Sequence, residues 1–460
     1  MMSTESAVIE RQDKLEAIRD RVVGDYLRKT PGSAALHERA RSALAGGVSG
    51  NLRYFSPYPL YTKAAQGSRM TDVDDNVYID SFSANGPLLL GHNHPALVEA
   101  VKDSQVLGAL PLNPAIMVDC AELVRGIVPC AERVRFLNTG TEAVMTAVRI
   151  ARAYTGKPGI VKFHGHYHGQ DDQFLIGIDT SDALFSAGVA PEAPASIHLC
   201  RYLDLEQLES LLQGNVEIAA VILDPAMHAG GLWGSDGEKL AALRRLTERH
   251  GVLLIFDEVI SGCRLAPGGA QQYYGVTPDM VTMAKALAAG EKLALVAGST
   301  AVMSVVDPLA EEGTPRVFQS GTVNDGPAAL ASAFAALQTY RQLYDHGDYE
   351  RLERHTGRIG QTLEKTFRGA GIACQVNHLA SMLQIHLGGN DLSFETARGD
   401  DTQLLELFYL ALINEGVMLS LPTSNHIYFS FAHSEQDFEF ISKKIGEVFT
   451  SYGFDSLGNN

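Results

Sequence analysis

The sequence has little positive charge and no long hydrophobic run. Its 37 lysine and arginine residues are outnumbered by 54 acidic residues, and the formal net charge is −17. A chain this acidic lacks the broad basic surface that nucleic acids and anionic membranes require, so neither is expected as a partner. No apolar segment reaches the roughly 18 residues of a membrane span. The polar N-terminus has no apolar signal-peptide core.

Cysteines are few, and none forms a C-x-x-C pair. Five cysteines in 460 residues, an odd number without that spacing, argue against a disulfide framework and a zinc ribbon. They indicate reduced thiols and a cytoplasmic protein. The Walker and dinucleotide-binding glycine patterns are also missing.

What the sequence does contain, from about Tyr78, is a regular alternation of short apolar runs and amphipathic helices. Several runs are continuous hydrocarbon, which is typical of a mostly parallel sheet covered on both faces. The pattern predicts strands at 133–138, 159–163, 217–223, 252–256, 279–285 and 293–298, with helices at 141–156 and 237–250.

The two ends of the chain have a different pattern. Residues 5–45 are highly charged and predicted to be helical. After Asn324, a long helical stretch (325–369) precedes short strands near 372–388 and 417–431, with helices at 402–415 and 435–450. This change predicts a smaller α+β domain that begins near residue 330.

One predicted strand, Val252 to Phe256, ends in the adjacent acids Asp257 and Glu258. Ligands of parallel sheets bind beyond the carboxyl ends of the strands, so Asp257 lies where a cofactor would lie. Lys285 ends another predicted strand. A lysine that forms a Schiff base and a carboxylate that keeps a pyridine nitrogen protonated suit pyridoxal phosphate. Taken singly, Asp257 could be a helix cap or part of a surface turn, and Lys285 a solvated lysine.

A place for the phosphate is suggested by "LNTGTEAV" (137–144), which reads as a strand, a Thr-Gly-Thr turn and a helix start. The amides of Gly140 and Thr141, with the hydroxyls of Thr139 and Thr141, would cradle an anion at the positive helix terminus. Glycine lets an anion approach the backbone closely. Alternatively, Thr141 and Glu142 could simply cap the helix.

The segment "KFHGHYHGQ" (162–170) follows the next strand. Tyr167 could stack on a flat heteroaromatic ring, although core packing is the alternative. His164, His166 and His168 alternate, which on a strand would put them on one face. No carboxylate or cysteine stands nearby at ligand spacing, so no metal site is predicted.

Together these motifs resemble those of the class III aminotransferases, in the branch of glutamate-1-semialdehyde 2,1-aminomutase and related D- and β-amino acid aminotransferases. The resemblance runs from about Gly46 to His433. Its other motifs are "GGVSGNLRYFSP", "LGHNHP", "FDEVISGCRLAPGGAQQYYGVTPD", "MVTMAKALAAG" and "FQSGT".

The resemblance implies an α/β fold, that of a fold-type I pyridoxal-phosphate-dependent transferase. It also implies a homodimer with shared active sites and pyridoxal 5'-phosphate as cofactor. We expect an N-terminal segment (1–69) that joins the small domain, a large domain with a mixed seven-stranded sheet (70–330) and a C-terminal small α+β domain (331–460).

Residue roles follow from the resemblance, position by position. Lys285 would be the Schiff-base lysine and proton-transfer base, and Asp257 would pair with the pyridine nitrogen. Tyr167 would stack on one face of the ring and Val259 would pack on the other.

The remaining roles concern anionic groups. Thr139, Gly140 and Thr141 would hold the phosphate, and Thr322 would reach the phosphate of the partner subunit. Arg53 matches the arginine that contacts the substrate carboxylate in the aminomutase branch, although an exposed structural arginine is the alternative. Residues 417–433 lack the arginine that many aminotransferases use for that carboxylate.

Several positions depart from the family pattern, and they bear on mutase activity more than on cofactor binding. They are Asp224-Pro225-Ala226 in place of Glu-Pro-Val, Ala229 beside His228, and Glu291-Lys292 after the lysine. We therefore expect an aminotransferase that moves an amino group from an amino acid or amine to a keto acid by ping-pong chemistry. The alternatives are a 2,1-aminomutase, a racemase or decarboxylase, and a cofactor-binding domain without catalysis.

Overall fold

The structure is a computed structural model that describes residues 4–214, 217–234, 236–388, 392–397 and 402–458. The α-helices of these ranges are α1 (Thr4–Lys29), α2 (Pro31–Arg41), α3 (Pro95–Ser104), α4 (Ala115–Ile127), α5 (Gly140–Thr155), α6 (Leu205–Gln213), α7 (Gly237–His250), α8 (Gly269–Tyr274), α9 (Thr300–Met303), α10 (Pro327–Asp345), α11 (Asp348–Gly369), α12 (Thr402–Asn414) and α13 (Glu435–Tyr452). The strands are β1 (Thr62–Gln66), β2 (Arg69–Asp72), β3 (Val77–Asp80), β4 (Arg133–Leu137), β5 (Gly159–Phe163), β6 (Ile197–Cys200), β7 (Ile218–Leu223), β8 (Leu253–Glu258), β9 (Met280–Met283), β10 (Ala294–Gly298), β11 (Cys374–Leu379), β12 (Met382–Leu387), β13 (Val417–Met418) and β14 (Ile427–Tyr428).

The chain divides into two compact units, which we call the central unit and the terminal unit. The central unit is Pro95–Tyr349, and the terminal unit joins Met1–His94 to Glu350–Asn460. This division lies further along the chain than the boundaries that the sequence predicts after residues 69 and 330. Those domain boundaries stay a prediction.

A seven-stranded sheet forms the core of the central unit, in the order β4-β10-β9-β8-β7-β5-β6. The strands from β9 to β6 in this order run parallel, whereas β10 is antiparallel to both β4 and β9. Strands β5, β7, β8 and β9 are buried along their whole length. Such burial is why their sequences are continuous apolar runs. The predicted α/β fold with a mixed seven-stranded sheet is confirmed.

Helix α5 follows β4 and packs on this sheet. Its start is fixed by a capping box, in which the Thr139 hydroxyl accepts from the Glu142 amide and the Glu142 carboxylate accepts from the Thr139 amide. Its end is fixed by Gly156, whose φ of 70° is left-handed. The cap places Gly140 and Thr141 in the first helical turn, at the end of β4.

Two small sheets organise the terminal unit, in the orders β1-β2-β3-β13 and β11-β12-β14. β13, from the C-terminal part of the chain, pairs in parallel with β3 from the N-terminal part. The Asp437 carboxylate in α13 also accepts hydrogen bonds from Ser68 (3.0 Å) and Arg69 (2.7 Å). The two ends of the chain therefore build one α+β unit.

The predicted elements of the central sheet are confirmed, except that the strand predicted over 279–285 ends at Met283 and leaves Lys285 in a short 3-10 helix. The other errors lie at interruptions. The helical stretch predicted over 5–45 is two helices, because Pro31 begins a new one. The stretch predicted over 325–369 is likewise two helices, separated near Gly347, whose φ is 76°. The edge strand β6 was not predicted, since it has only four residues and is mostly half-buried.

Among the described residues, no helix is both long enough and apolar enough to span a membrane. The five cysteines are all buried and none is disulfide-bonded.

Candidate active site

Asp257 lies near the carboxyl end of β8, between β7 and β9 in the middle of the sheet. It is 5 % exposed, and its carboxylate has three partners. One oxygen lies 2.7 Å from Nδ1 of His168, and the other accepts hydrogen bonds from the Thr282 hydroxyl (3.1 Å) and the Val259 amide (3.2 Å). Because these donors come from three separate segments, the carboxylate is held in one orientation beyond the strand end.

Lys285 follows β9, the neighbour of β8, with Thr282 paired opposite Asp257 in the register of the two strands. The lysine is half-buried and opens a short 3-10 helix, Lys285–Ala288. Burial and, to a smaller extent, the nearby Arg264 guanidinium lower the pKa of its amine to about 8, against the opposing effect of the Asp257 and Asp224 carboxylates. An appreciable neutral fraction makes this amine a competent nucleophile.

The start of α5 and the segment 162–170 approach the same region closely at two glycines, Gly140 and Gly169. A Cβ on Gly140 would lie 2.8 Å from Cγ2 of Val259, and a Cβ on Gly169 would lie 2.6 Å from the Thr141 hydroxyl. Both glycines therefore allow close approaches that any other residue would prevent. The Thr141 hydroxyl also accepts a hydrogen bond from the Gln170 amide, at 3.3 Å.

The histidine-rich segment does not continue β5, which ends at Phe163. The prediction that three alternating histidines share one strand face is therefore wrong. His164 contacts the Asp179 carbonyl (3.2 Å), His166 accepts from the Asp224 amide (3.0 Å), and His168 pairs with Asp257. Each ring has its own partner because the chain turns after the strand. No cluster of metal-ligating side chains occurs in the part of the chain that the structure describes.

Tyr167 stands between the two buried histidines in sequence but is 46 % exposed. Partial burial raises the pKa of its hydroxyl, and the charge of Asp257 adds to the rise. The core-packing alternative is not supported by this exposure, and a ring at the edge of a cleft remains available to a ligand.

Asp224, which departs from the family pattern, is buried at the end of β7. Its carboxylate accepts hydrogen bonds from the amides of Ala226 (2.9 Å) and His228 (2.8 Å). Burial and the negative charge of Asp257 raise its pKa to about 7, against the opposing effect of these two hydrogen bonds. Asp224 therefore closes the turn after β7 and also contributes to the electrostatics around Lys285.

These segments line one cleft of about 190 Å3 in the central unit. Six residues predicted from the sequence lie in its wall, namely Gly140, Thr141, Tyr167, Asp257, Val259 and Lys285. The wall is completed by Val144, His168, Gly169, Asp224 and Ile260.

Three predicted site residues do not line this cleft. Thr139 uses its hydroxyl and amide in the capping box with Glu142. Thr322 is exposed, in the segment between α9 and α10. Arg53 belongs to the terminal unit, where it is exposed and lines a largely apolar cleft of about 470 Å3. The roles assigned to all three stay predictions.

Comparison with known proteins decides the family. Residues 53–439 match the family model for class III aminotransferases. The chain belongs to this family. It is 38% identical over 423 residues to a glutamate-1-semialdehyde 2,1-aminomutase of Methanopyrus kandleri, covering 90% of this chain and 96% of that one. The predicted resemblance and enzyme class are confirmed.

Comparison with solved structures of transaminases agrees with this family. An omega-transaminase from Sphaerobacter thermophilus superposes with a TM-score of 0.84 at 31% identity, covering 92% of this chain and 98% of that one. A transaminase with PLP bound superposes with a TM-score of 0.82, also at 31% identity and with the same coverage of both chains.

The cleft of this class III aminotransferase fits pyridoxal phosphate at both ends. At one end, the bare Cα atoms of Gly140 and Gly169 leave space that a side chain would fill, beside the positive terminus of α5. At the other end, Asp257 offers a carboxylate for the ring nitrogen and Lys285 an amine of lowered pKa. An anion cradle and an acid–amine pair in one cleft match the two ends of the cofactor.

The sequence did not single out His168 as the partner of Asp257, nor Thr282, and it noted Asp224 only as a departure. His168 could have been found from its place directly after Tyr167, in the segment that follows a predicted strand. No local signal marks Thr282, because it lies within β9 and reads as an ordinary strand residue.

Gly140→Ala is expected to weaken cofactor binding, because the new Cβ would lie 2.8 Å from Val259 and must displace it. Overpacking of this kind costs about 1–3 kcal/mol, so the Kd for pyridoxal phosphate should rise roughly tenfold. Equilibrium dialysis of the apoenzyme measures it. Gly126→Ala, within α4 and with no atom within 4 Å of the added Cβ, is the matched control. Unchanged affinity in Gly140→Ala would contradict the close approach.

Proposed function

We propose that this enzyme is an aminotransferase that moves an amino group between an amino acid, or an amine, and a keto acid by ping-pong chemistry. Its cofactor is pyridoxal phosphate. The observation that carries the proposal is the placement of Lys285 and Asp257 at the ends of the neighbouring strands β9 and β8, in the wall of one cleft. The substrates are small molecules, an amino donor and a keto acceptor.

When bound, pyridoxal phosphate supplies a carbonyl that condenses with amines and a ring that accepts electrons from the substrate carbon. Lys285 holds the cofactor and then moves the proton at the substrate Cα, using its Nζ. An amine with a pKa of about 8 suits this work, because near neutral pH it can both take up and release a proton. Nearby Arg264 and the buried surroundings keep that pKa down.

Asp257 stabilises positive charge on the ring nitrogen. A carboxylate held by His168 and Thr282 needs no reorganisation when charge develops, which is the condition for effective electrostatic stabilisation. The partly exposed Tyr167 ring is proposed to stack on one cofactor face, and Val259 to pack on the other. Thr139, Gly140 and Thr141 are proposed to hold the phosphate.

A glutamate-1-semialdehyde-type aminomutase is the second candidate, favoured by the name of the relative from Methanopyrus kandleri. Both candidates use the same cleft, so residues of the cofactor site do not separate them. Incubation of the enzyme with L-, D- and β-amino acids and simple amines separates them. A transferase consumes the visible absorbance of bound cofactor with a donor alone and recovers it only with a keto acid. Turnover of glutamate-1-semialdehyde without any keto acid would overturn the transferase proposal.

We also propose that the enzyme is a homodimer with shared active sites. Two segments of the central unit expose large apolar side chains, a feature typical of protein interfaces. The most exposed are Val106 and Leu112 in one segment, and Leu309 and Phe318 in the other. Thr322 follows the second segment and is proposed to reach the phosphate of the partner subunit.

Subunit mixing tests the role of Thr322. Lys285→Ala and Thr322→Glu homodimers should each be inactive, because one lacks the amine and the other repels the phosphate. Mixed dimers should regain one intact site, on the order of a quarter of wild-type activity for statistical exchange in a twofold dimer. No recovery, with exchange demonstrated by mass spectrometry, would assign Thr322 to the site of its own subunit, and an active Thr322→Glu homodimer would remove it from any site.

Arg53 is proposed to grip the carboxylate of an amino-acid substrate. Its exposed guanidinium stands at a cleft whose wall is largely apolar, and a planar guanidinium binds carboxylates through two parallel hydrogen bonds. The absence of arginine from residues 417–433 leaves that task to another cation.

Arg53→Lys should raise KM for amino-acid donors roughly tenfold, because the lysine ammonium is a point charge and cannot make the two parallel hydrogen bonds of the planar guanidinium. An amine donor without a carboxylate should be little affected. Steady-state kinetics with one donor of each kind measures the difference, and Arg39→Lys, at an exposed arginine of α2, is the control. Equal losses with both donors, or full activity on amino acids, would make Arg53 structural.

A cytoplasmic location stays a prediction, supported by five unpaired buried cysteines. The net charge of −17 argues against nucleic acid as a partner.

A further inference from the structure

The backbone that carries Lys285 is unusual for residues with side chains. Lys285 and Ala289, at the two ends of the short turn after β9, each have a φ of 48°. This left-handed region is costly for residues other than glycine, and such conformations persist only where surrounding contacts hold them. The conformation matters because it sets the direction in which the lysine side chain leaves the strand end.

Two buried hydroxyl groups of α10 hold this turn. The Tyr340 hydroxyl donates to the carbonyl oxygen of Ala286 at 2.9 Å, and the Ser332 hydroxyl donates to that of Ala288, also at 2.9 Å. Tyr340 is 0 % exposed and Ser332 is 2 % exposed, so neither bond competes with bulk water. Burial raises the pKa of Tyr340 well above its usual value, so its hydroxyl keeps the proton that it donates.

The two bonds act at different points of the same turn. Within the turn, the Ala289 amide donates to the Ala286 carbonyl at 3.2 Å, and the Glu291 amide donates to the Ala288 carbonyl at 3.2 Å. Each carbonyl bound by α10 therefore also closes the turn internally. Helix α10 thereby fixes both the start and the end of the segment that carries the lysine.

We propose that Tyr340 and Ser332 are positioning residues, which hold the turn of Lys285 so that its amine is aligned for proton transfer at the substrate carbon. The inference rests on the proposed function, in which Lys285 carries the cofactor. Neither residue lines the cleft, so both act through the backbone of Ala286 and Ala288. Misalignment of a reacting group by a fraction of an ångström slows a reaction without weakening substrate binding.

The competing explanation is that α10 merely satisfies two buried carbonyls, as buried polar groups require. Removal of either hydroxyl would then lower stability and leave the chemistry of Lys285 unchanged. The two explanations differ in their effect on the lysine itself, and the test measures that effect.

The test uses the holoenzyme of three variants, namely Tyr340→Phe, Ser332→Ala and the double variant that carries both substitutions. A fourth variant, Thr339→Val, is compared with them. Thr339 is the matched control, because its hydroxyl bonds a carbonyl of its own helix, Ala335, at 2.8 Å. Borohydride reduction and peptide mass spectrometry first establish that Lys285 carries the cofactor. A pH titration of the visible absorbance then reports on the lysine–cofactor linkage. Single-turnover rates with Cα-protiated and Cα-deuterated donor report on proton transfer.

We expect Tyr340→Phe and Ser332→Ala to move the pH midpoint by roughly half a unit, about a threefold change in the linkage equilibrium. The rate of the first half-reaction should fall roughly tenfold with little change in donor affinity, and the deuterium isotope effect should rise. Thr339→Val should match the wild type. Wild-type midpoint, rate and isotope effect in both α10 variants, whatever their melting temperatures, would overturn the positioning role alone. Attachment of the cofactor to another lysine would overturn this inference together with the proposed function.

Discussion

Lys285→Ala is expected to abolish covalent attachment of the cofactor and to reduce turnover by at least about 10⁴-fold, the upper range of general acid–base contributions. Lys285 is proposed both to hold the cofactor and to move the Cα proton, so its loss removes two functions together. The fold should survive, because the side chain is only half-buried and the turn is held through its backbone. Borohydride reduction followed by mass spectrometry of the peptide measures attachment, and steady-state kinetics measures turnover.

Lys292→Ala is the matched control, since Lys292 lies seven residues later and is exposed. It should retain both attachment and turnover. A reduced cofactor adduct that persists in Lys285→Ala, or that is found on the Lys292 peptide, would remove Lys285 from the site.

Asp257→Asn should preserve the fold but slow exchange of the substrate Cα proton by roughly 100-fold or more. An asparagine oxygen can still accept hydrogen bonds from Thr282 and Val259, so the local structure has little reason to change. The amide, however, cannot stabilise a positive ring nitrogen. A hydrogen bond to a charged group contributes about 1.5–3 kcal/mol, and the loss of the electron sink adds to it. Solvent deuterium exchange followed by NMR measures the rate.

Thr282→Val provides a graded comparison for Asp257→Asn, because it keeps the carboxylate and removes one of its hydrogen bonds. A loss well below that of Asp257→Asn is expected. Wild-type exchange in Asp257→Asn would show that charge at this position is not needed for the chemistry.

The parts of the site that could be predicted from the sequence are those encoded in short segments. Asp257 and Lys285 stood out because each directly follows an apolar run, and runs of this kind are read from neighbouring residues alone. The Thr-Gly-Thr turn was visible for the same reason, but the cap was assigned to the wrong threonine, because Thr139 and not Thr141 forms the capping box with Glu142. The prediction from the three alternating histidines was wrong. Alternating residues share one face only within a strand, and β5 ends at Phe163, before the first of these histidines.

The sequence by itself determined the elements of this protein and the residues at their ends. Caps, breaks and apolar periodicity act over a few residues, so the strands β4, β5 and β7 to β10 and the helices α5 and α7 could be located from local patterns. Composition likewise gave an expectation about partners, since the net charge of −17 argues against a broad surface for nucleic acid. Pro31 and Gly347 are visible in the sequence, but the helical patterns on either side of them are long. For that reason the two helix breaks at these residues were not predicted.

Only the tertiary structure decided which groups meet. His168 lies 89 residues from Asp257, and Tyr340 lies 54 residues from Ala286, distances over which no local pattern extends. Sheet order brings the ends of β5, β8 and β9 to one edge, and packing of α10 supplies the hydroxyls beneath the lysine turn. These contacts are set by the burial of many side chains at once. For that reason the placement of Asp257 and Lys285 near strand ends was foreseeable, whereas the residues that contact Asp257 and the lysine turn were not.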